Sequence, residues 1–440
     1  MASTRSLAGL RRRNPLPTGT LAVGLGLFIA GVSAYGFLLV VNHSLSSTRY
    51  SALATFWALL FVSGNGIYMP FEQTLSRAIA ARRVRGDGGL PVMLRAALIG
   101  TGLTAALVVA VLLAAAPISR ALFAGDTTLV SGYAIGLVAY LLQFLARGAL
   151  AGNGRFIPYG TLLALEGLLR VAFCVVLGLA HVRSTGPYGL ALVVASLIAF
   201  ALAVVGRRGL LTRGSQTSWP EVTNALGFLL VGSLCVQFLL SIGTVAVQFI
   251  VYVLHLTSRQ AAAGSFLNSR VIAYIPIFLF QALQAAMLPR LSALAAAGRY
   301  DDFRDLVRQL LLVVIAVGVL TLLGFAALGP PVTGRLFKGS LSNLDFALLS
   351  LSCTGFMVGQ VFGQSLIALT AYRRVAAGWT AGAAVFVVLT WLIQPLFLRV
   401  ELGLLFGSIA AVTVMAAMLV PLLRFRHTAD TENRIAAAET

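Results

Sequence analysis

The sequence predicts an all-α integral membrane protein with about 12 transmembrane helices, arranged as two six-helix lobes. Of its 440 residues, 59% are hydrophobic and only 10% are charged, whereas a soluble domain carries about 25% charged residues. Runs of roughly 20 apolar residues, each long enough to cross the hydrocarbon core of a bilayer, recur along the whole chain. Sequence matches between the two halves indicate an internal repeat. Lipid must therefore be part of the solvent of this protein.

The apolar runs define the predicted organisation. A tail of residues 1–18 precedes a first lobe of residues 19–206, a linker of residues 207–223, a second lobe of residues 224–424 and a tail of residues 425–440. Loops between some runs are very short, so the number of helices could also be 11 or 13. The predicted helices cover residues 20–41, 51–71, 93–116, 128–149, 157–180, 187–206, 226–254, 263–288, 307–330, 345–369, 375–397 and 402–424.

The distribution of basic residues predicts the orientation. If the N-terminus is cytoplasmic, 23 of the 32 basic residues fall on the cytoplasmic side and 7 on the outer side, and Arg170 and Arg270 lie inside helices. Cytoplasmic loops of membrane proteins are enriched in Lys and Arg. We therefore expect both termini in the cytoplasm, and one missed or invented helix would destroy the asymmetry.

Three pairs of matching segments indicate that the halves repeat. The segment Pro117–Gly125 after the third helix returns as Pro331–Gly339 after the ninth, 214 positions later. Leu-Ser before a basic loop recurs at positions 75–76 and 291–292, and Gly-Leu recurs at 189–190 and 403–404. Six helices per repeat give both halves the same orientation, so their pseudo-twofold axis should run along the membrane normal.

Several functional classes are excluded. The net charge of +19 sits in short clusters between apolar runs without the interleaved aromatic residues of a nucleic-acid surface. Nucleotide, hydrolase and metalloprotease motifs do not occur in a usable context. The cysteines fall inside apolar runs without partners, which is typical of small core residues. We expect no enzyme, no cofactor, no metal and no nucleic-acid partner.

Polar residues at membrane depth are the candidate site residues, because they are costly to bury and usually face a cavity or a partner. Arg270 lies about eight residues into the eighth helix, next to Asn268 and Ser269. It could bind an anion in a central cavity, or it could be a structural arginine that snorkels or bonds helix carbonyls. Glu166 and Arg170, four residues apart on one helical face, favour a self-neutralising pair.

Further polar candidates leave two interpretations open. Glu72, at the inner end of the second helix, could be a proton or cation site or a solvated interfacial residue. A set of glutamines could bind sugar hydroxyls or hold helices together; it comprises Gln237, Gln248, Gln281, Gln284, Gln360 and Gln364.

The stretch Pro276–Ser292, with Pro289-Arg290-Leu291-Ser292 at its end, resembles the multidrug/oligosaccharidyl-lipid/polysaccharide (MOP) flippase superfamily. The first half echoes it as Phe71–Arg77. Within the superfamily the chain is more similar to the bacterial flippases of lipid-linked polysaccharide precursors than to multidrug exporters, because its first lobe has no acidic cluster of the kind that cation-coupled multidrug exporters use.

The resemblance implies a MATE-like fold in the bacterial cytoplasmic membrane, with two bundles that open alternately to each side. It further implies a flippase that moves a polyprenyl-diphosphate-linked saccharide for cell-surface polysaccharide biosynthesis, alongside glycosyltransferases or a polymerase. The diphosphate would be held by Arg270, Arg49 and Arg259, and the saccharide by the glutamines Gln248, Gln281 and Gln284. Asn268 and Glu72 complete the predicted substrate-binding residues. The alternatives are a cation-coupled multidrug exporter and a scaffold of a glycan assembly complex that transports nothing.

Overall fold

A computed structural model describes residues 20–205, 212–216, 219–277, 280, 287, 291, 294–295, 298–337, 341–369 and 371–438. The first lobe contains α1 to α8, with α2 and α3 joined by a π-helical turn, Ser63–Tyr68. Its helices are α1 (Thr20–Ser44), α2 (Ser47–Val62), α3 (Met69–Val84), α4 (Leu90–Leu113), α5 (Ala115–Leu122), α6 (Thr127–Gly152), α7 (Phe156–Leu179) and α8 (Thr185–Val204).

The second lobe follows after the linker. A 3-10 turn, Thr257–Arg259, connects its first two helices. The lobe contains α9 (Trp219–Val253), α10 (Ala262–Ala273), α11 (Tyr300–Leu336), α12 (Asn343–Ala368), α13 (Tyr372–Leu392) and α14 (Leu396–Ala438). The all-α membrane fold is confirmed. Eleven described helices are long and apolar enough to cross a membrane. The predicted eighth helix, residues 263–288, is described only in part, as α10 and residues 274–277, 280 and 287.

We name the two ends of the bundle by their basic residues. The arginine-rich end is where α3 ends and α4 begins, and the arginine-poor end is where α1 ends and α2 begins. The sequence assigns the arginine-rich end to the cytoplasm, and this assignment stays a prediction.

The repeat is visible in the local structure after α4 and at the end of α11. The backbone N–H of Phe123 donates to the carbonyl of Ser119 over 3.0 Å, and that of Phe337 donates to Thr333 over 2.8 Å. Both phenylalanines are buried. These four residues correspond at the offset of 214, so the two matching segments end their helices in the same way.

Several predicted boundaries are wrong, and two of them show why. The second predicted helix was expected to end at residue 71, but the helix continues as α3 to Val84. The ninth was expected at residues 307–330, whereas α11 runs from Tyr300 through the pair Pro330–Pro331. Charged residues made the beginning of α11 look like a loop in the sequence. In the structure they lie on its exposed first turn, where Arg299 pairs with Asp302 at 2.7 Å.

Helices within the first lobe approach very closely where glycines face each other. A Cβ on Gly160 of α7 would lie 2.1 Å from the carbonyl oxygen of Ala22 in α1, and one on Gly26 would lie 2.3 Å from the carbonyl oxygen of Gly160. Small residues allow membrane helices to pack backbone against backbone. This contact fixes α1 on α7 and leaves α2 to face the second lobe.

Candidate functional site

The two lobes meet along α2 of the first lobe and α9 and α10 of the second. Near the arginine-poor end, Ser51 Oγ donates to Gln248 Oε1 over 3.0 Å and accepts from the backbone N–H of Gly264 over 3.1 Å. The hydroxyl of Tyr50 donates to Asn268 Oδ1. All of these polar side chains are buried, and Ser51 and Asn268 are 0% exposed. We call this group (Tyr50, Ser51, Gln248, Gly264 and Asn268) the polar seam.

The polar seam lies within about 10 Å of the arginine-poor end, because its residues are a few positions from the helix ends and a helix rises 1.5 Å per residue. Its backbones are close: a Cβ on Gly264 would lie 2.7 Å from the ring of Tyr50. Somewhat deeper, Tyr35 of α1 donates to the carbonyl of Val271 over 3.1 Å. The lobes are therefore joined by polar contacts at this end.

A second polar contact between the lobes uses the π-helical turn. A π turn leaves carbonyl groups out of the regular α-helical ladder. The carbonyl of Asn65 accepts a hydrogen bond from Ser233 of α9 over 2.6 Å. The side chain of Leu234 lies beside Gly66, 3.2 Å from where its Cβ would be. The turn thus holds α2 and α9 together deeper in the membrane.

Arg270 lies on α10 next to the polar seam, about 12 Å from the beginning of that helix. It is 8% exposed, and its guanidinium lies over the ring of Tyr274 at 4.7 Å. The Tyr274 hydroxyl is 2.8 Å from Ser352 Oγ of α12, which fixes the ring. Within the described part of the chain, Arg270 Nε has no hydrogen-bond partner, and the described ion pairs do not include it.

An arginine at this depth without a carboxylate can accept an anion. Burying an isolated cation costs several kcal/mol even after relaxation, and the tyrosine ring offsets only a part of that cost, about 2 kcal/mol at most for a cation–π contact. An anion reaching Arg270 would supply the missing charge.

The other predicted ligands lie in several places. Gln248 and Asn268 are brought together with Arg270 at the lobe interface, where both side chains bond across the polar seam. Arg49 and Arg259 are exposed at the arginine-poor end, and Arg49 donates to the carbonyl of Arg183 over 2.7 Å. Gln281 and Gln284 lie outside the described residues. The ligand roles of all these residues remain predictions.

Glu72 belongs to a buried network inside the first lobe. It forms an ion pair with Arg147 at 3.0 Å and accepts a hydrogen bond of 2.6 Å from the hydroxyl of Tyr159. Tyr159 also accepts from Arg147 over 3.1 Å. The charge count assigned Arg147 to the cytoplasmic side although the predicted helix of residues 128–149 contains it, and the structure places it inside α6 in this buried network.

A second buried network lies deeper in the same lobe. Arg170 donates to Glu166 over 2.7 Å, so the expected pair within α7 is confirmed. Gln143 of α6 donates to Glu166 over 2.6 Å and accepts from Ser196 of α8 over 2.9 Å. Arg170 also lies over the ring of Trp57 at 4.8 Å. Both buried carboxylates of the first lobe are therefore neutralised by arginines.

Glu401 is an unexpected buried acid in the second lobe. It lies near the arginine-poor end of α14 and is 0% exposed. Neither of its carboxylate oxygens bonds to a described residue. The acid that faces it is Asp345 of α12, which itself accepts two hydrogen bonds of 2.8 Å from Ser342. A carboxyl in this setting can take up a proton or a cation.

The fold matches solved structures of MATE transporters of the MOP superfamily. An inward-facing multidrug resistance MATE transporter has a TM-score of 0.66 at 12% sequence identity, covering 93% of this chain and 99% of that chain. The outward-facing conformation of such a transporter gives 0.64 at 13% identity, covering 94% and 95%. The Vibrio cholerae MATE transporter VcmN in its bent form gives 0.61 at 18% identity, covering 93% and 97%. The MATE-like fold expected from the resemblance is thereby confirmed.

The sequence comparisons are less specific. No protein-family model matches the chain. An uncharacterized protein of Mycobacterium tuberculosis, Rv1510, is 24% identical over 432 residues, which cover 92% of each chain. Another uncharacterized protein, from strain CDC 1551 of the same species, is similar to the same extent.

Proposed function

We propose that this chain is a transporter that moves a polyprenyl-diphosphate-linked saccharide across the bacterial cytoplasmic membrane, for cell-surface polysaccharide biosynthesis. The two lobes would rock about their interface, so that the substrate faces one leaflet and then the other. Its partners would be the lipid-linked saccharide, the bilayer and the glycosyltransferases or polymerase of the same pathway. The observation that carries the proposal is Arg270, a buried cation at the lobe interface with no described carboxylate to neutralise it.

Charge distinguishes the proposed substrate from other cargoes. A diphosphate presents acceptor oxygens that match the planar guanidinium of arginine. The first lobe also favours an anionic substrate. Both of its buried carboxylates, Glu72 and Glu166, already pair with arginines and have little capacity left to attract a cationic drug. A lipid-linked anion therefore fits the interior better than a cation does.

The fold likeness supports a transporter in general, since the MATE structures it matches are described as transporters. A cation-coupled multidrug exporter is the second candidate. Glu401 is the observation that favours it, because a fully buried carboxyl that faces another acid, Asp345, and pairs with no described cation is able to bind a coupling proton or cation.

The test is translocation of a fluorescent, diphosphate-linked oligosaccharide in vesicles that contain the purified full chain. Replacing Arg270 by Gln should lower the translocation rate at least about tenfold, because a hydrogen bond to a charged group contributes about 1.5–3 kcal/mol. Arg270→Lys keeps the charge and should retain part of the rate. Arg308→Gln, an exposed change at the arginine-rich end, is the matched control and should not alter it.

Two results would overturn the proposal. One is an Arg270→Gln protein that is present at normal level and translocates the labelled saccharide as fast as the unaltered chain. The other is a chain that leaves the lipid-linked saccharide in place but expels a cationic dye, which would favour the multidrug exporter.

A further inference from the structure

A basic cavity opens at the arginine-rich end of the first lobe, away from the lobe interface. It has a volume of about 870 Å³ and lies between the last two turns of α3 and the linker segment 212–216. The residues of its wall that matter here are Arg77, Arg82, Arg85, Asp87, Ser215 and Gln216.

One side of the cavity is a rigid wall that joins the linker to the first lobe. Arg82 is 3% exposed and donates to Asp87 Oδ2 over 3.1 Å, to the carbonyl of Ser215 over 2.9 Å and to the carbonyl of Gly88 over 3.3 Å. Asp87 Oδ1 accepts from the backbone N–H groups of Gly88 and Ser215, each over 2.8 Å. The Ser215 hydroxyl donates to Asp87 Oδ2. Arg82 and Asp87 thus neutralise each other within the wall.

The pKa of Asp87 supports the conclusion that its carboxylate neutralises Arg82. Its hydrogen bonds from Ser215, together with the backbone N–H of Gly88 and the charge of Arg82, lower the pKa of the carboxyl from 3.8 to about 2. Asp87 is therefore ionised at neutral pH and compensates Arg82, which leaves the remaining cavity charge to the other two arginines.

Arg77 and Arg85 form the open side of the cavity. Arg77 lies in α3 and Arg85 directly follows its end, and both line the cavity. Both are exposed, and neither forms an ion pair with a carboxylate in the described ranges. With Arg82 balanced by Asp87, the cavity carries a net charge of about two positive units.

We propose that this cavity binds a phosphate-bearing anion at the membrane surface, between the guanidinium groups of Arg77 and Arg85. Arginine forks match phosphate oxygens in bidentate fashion, and basic pockets at membrane interfaces are suited to anionic headgroups. The negative end of the α3 dipole opposes the anion by about half a charge, which the two guanidinium groups exceed. A bound phosphate would sit against the Ser215 wall and hold the linker to the first lobe.

The phosphate could come from a lipid headgroup or from a free ion, and the experiment separates these sources. The full chain is placed in phosphatidylcholine nanodiscs with a minor fraction of phosphatidylglycerol, and retained phosphatidylglycerol is counted by native mass spectrometry. In parallel, inorganic phosphate is titrated into nanodiscs of phosphatidylcholine alone. The test variant is Arg77→Gln/Arg85→Gln. The control is Arg299→Gln/Arg308→Gln, which removes the same charge from two exposed positions at the beginning of α11, at the same end.

The test variant should bind phosphatidylglycerol about 30-fold more weakly, from the loss of two interfacial arginines, while the control changes less than about threefold. If inorganic phosphate gives the same pattern, the site binds the free ion as well as the headgroup. If phosphatidylglycerol and phosphate bind equally to the test and control variants, or bind to none of the proteins, the proposal is wrong. Because both test positions are exposed and Arg82 is retained, the variant should fold, and its elution profile checks this.

Discussion

The polar seam makes a quantitative prediction about the movement of the lobes. Replacing Ser51 by Ala removes the hydroxyl that donates to Gln248 and accepts from the Gly264 N–H, at 3.0 and 3.1 Å. Both partners are then left buried without this bond whenever the seam is closed. We expect the closed seam to lose about 1–2 kcal/mol, since membrane hydrogen bonds contribute about 0.6 kcal/mol each and an unsatisfied buried group costs about 1–3 kcal/mol.

A loss of this size changes the ratio of closed to open molecules by about 5- to 30-fold. The assay is a distance distribution between spin labels at Ser46 and Ser258, two exposed positions on opposite lobes at the arginine-poor end, in a chain whose natural cysteines are replaced. The fraction of molecules with a longer distance between the labels should be larger in the Ser51→Ala chain than in the unaltered chain. The control is Ser265→Ala, because that hydroxyl bonds to Ala261 within the same segment.

The reasoning is refuted if Ser51→Ala leaves the distances unchanged in a correctly folded protein. It is also refuted if Ser265→Ala opens the arginine-poor end to the same extent, because the effect would then come from losing any hydroxyl of this region. Opening that is specific to Ser51 would identify the polar seam as the contact that keeps this end closed.

Three further changes test the packing and the charges. Arg147→Gln leaves its partner carboxylate buried without an ion pair (3.0 Å), so the protein should lose about 3–5 kcal/mol, measured as a lower midpoint of thermal unfolding in detergent. Gly160→Ala places a Cβ 2.1 Å from a backbone oxygen of α1 and should cost at least about 1–3 kcal/mol, whereas Gly102→Ala, which meets nothing within 4 Å, should leave the midpoint unchanged. Asp87 has a pKa of about 2, below its value of 3.8 in the unfolded chain, so its bonds to Ser215 should be fully stabilising above pH 4 and be lost only as the pH falls towards 2. Hydrogen exchange of segment 212–216, corrected for the intrinsic pH effect, should therefore stay protected from pH 7 to pH 4, and Asp87→Asn should remove the protection at every pH.

Much of the fold could be predicted because the bilayer imposes a simple pattern on the sequence. Each crossing needs a run of about 20 apolar residues, and the segments at 117–125 and 331–339 reveal the repeat before any coordinates exist. The Glu166–Arg170 pair was also predictable, since a spacing of four on a helix places both side chains on one face. These inferences depend only on local sequence.

The contacts that join distant segments could not be predicted in the same way. The interpretation of Gln248 and Asn268 stayed open because a buried amide serves a substrate and a neighbouring helix equally well, and only the positions of Tyr50 and Ser51 across the interface reveal the bonds. Arg147 was counted among the cytoplasmic arginines, because a charged residue near a helix end is usually solvated. Its burial is possible because Glu72 arrives from another helix 75 positions earlier in the sequence.

The two lobes differ in how they handle buried charge, and this difference bears on which of them responds to a ligand. In the first lobe, Glu72 and Glu166 each have an arginine within ion-pair distance, so no ligand is needed to neutralise them. In the second lobe, Arg270 and Glu401 are buried without an ion pair to any described residue. A ligand shifts a conformational equilibrium only by its differential affinity for the two states. A group whose charge is already neutralised contributes little to that difference in affinity. An anion at Arg270 would remove a cost of several kcal/mol, and the size of that change could differ between an open and a closed interface. If the proposed transport takes place, its sensitivity to a ligand should therefore reside in the second lobe, with the first lobe as the body against which it moves.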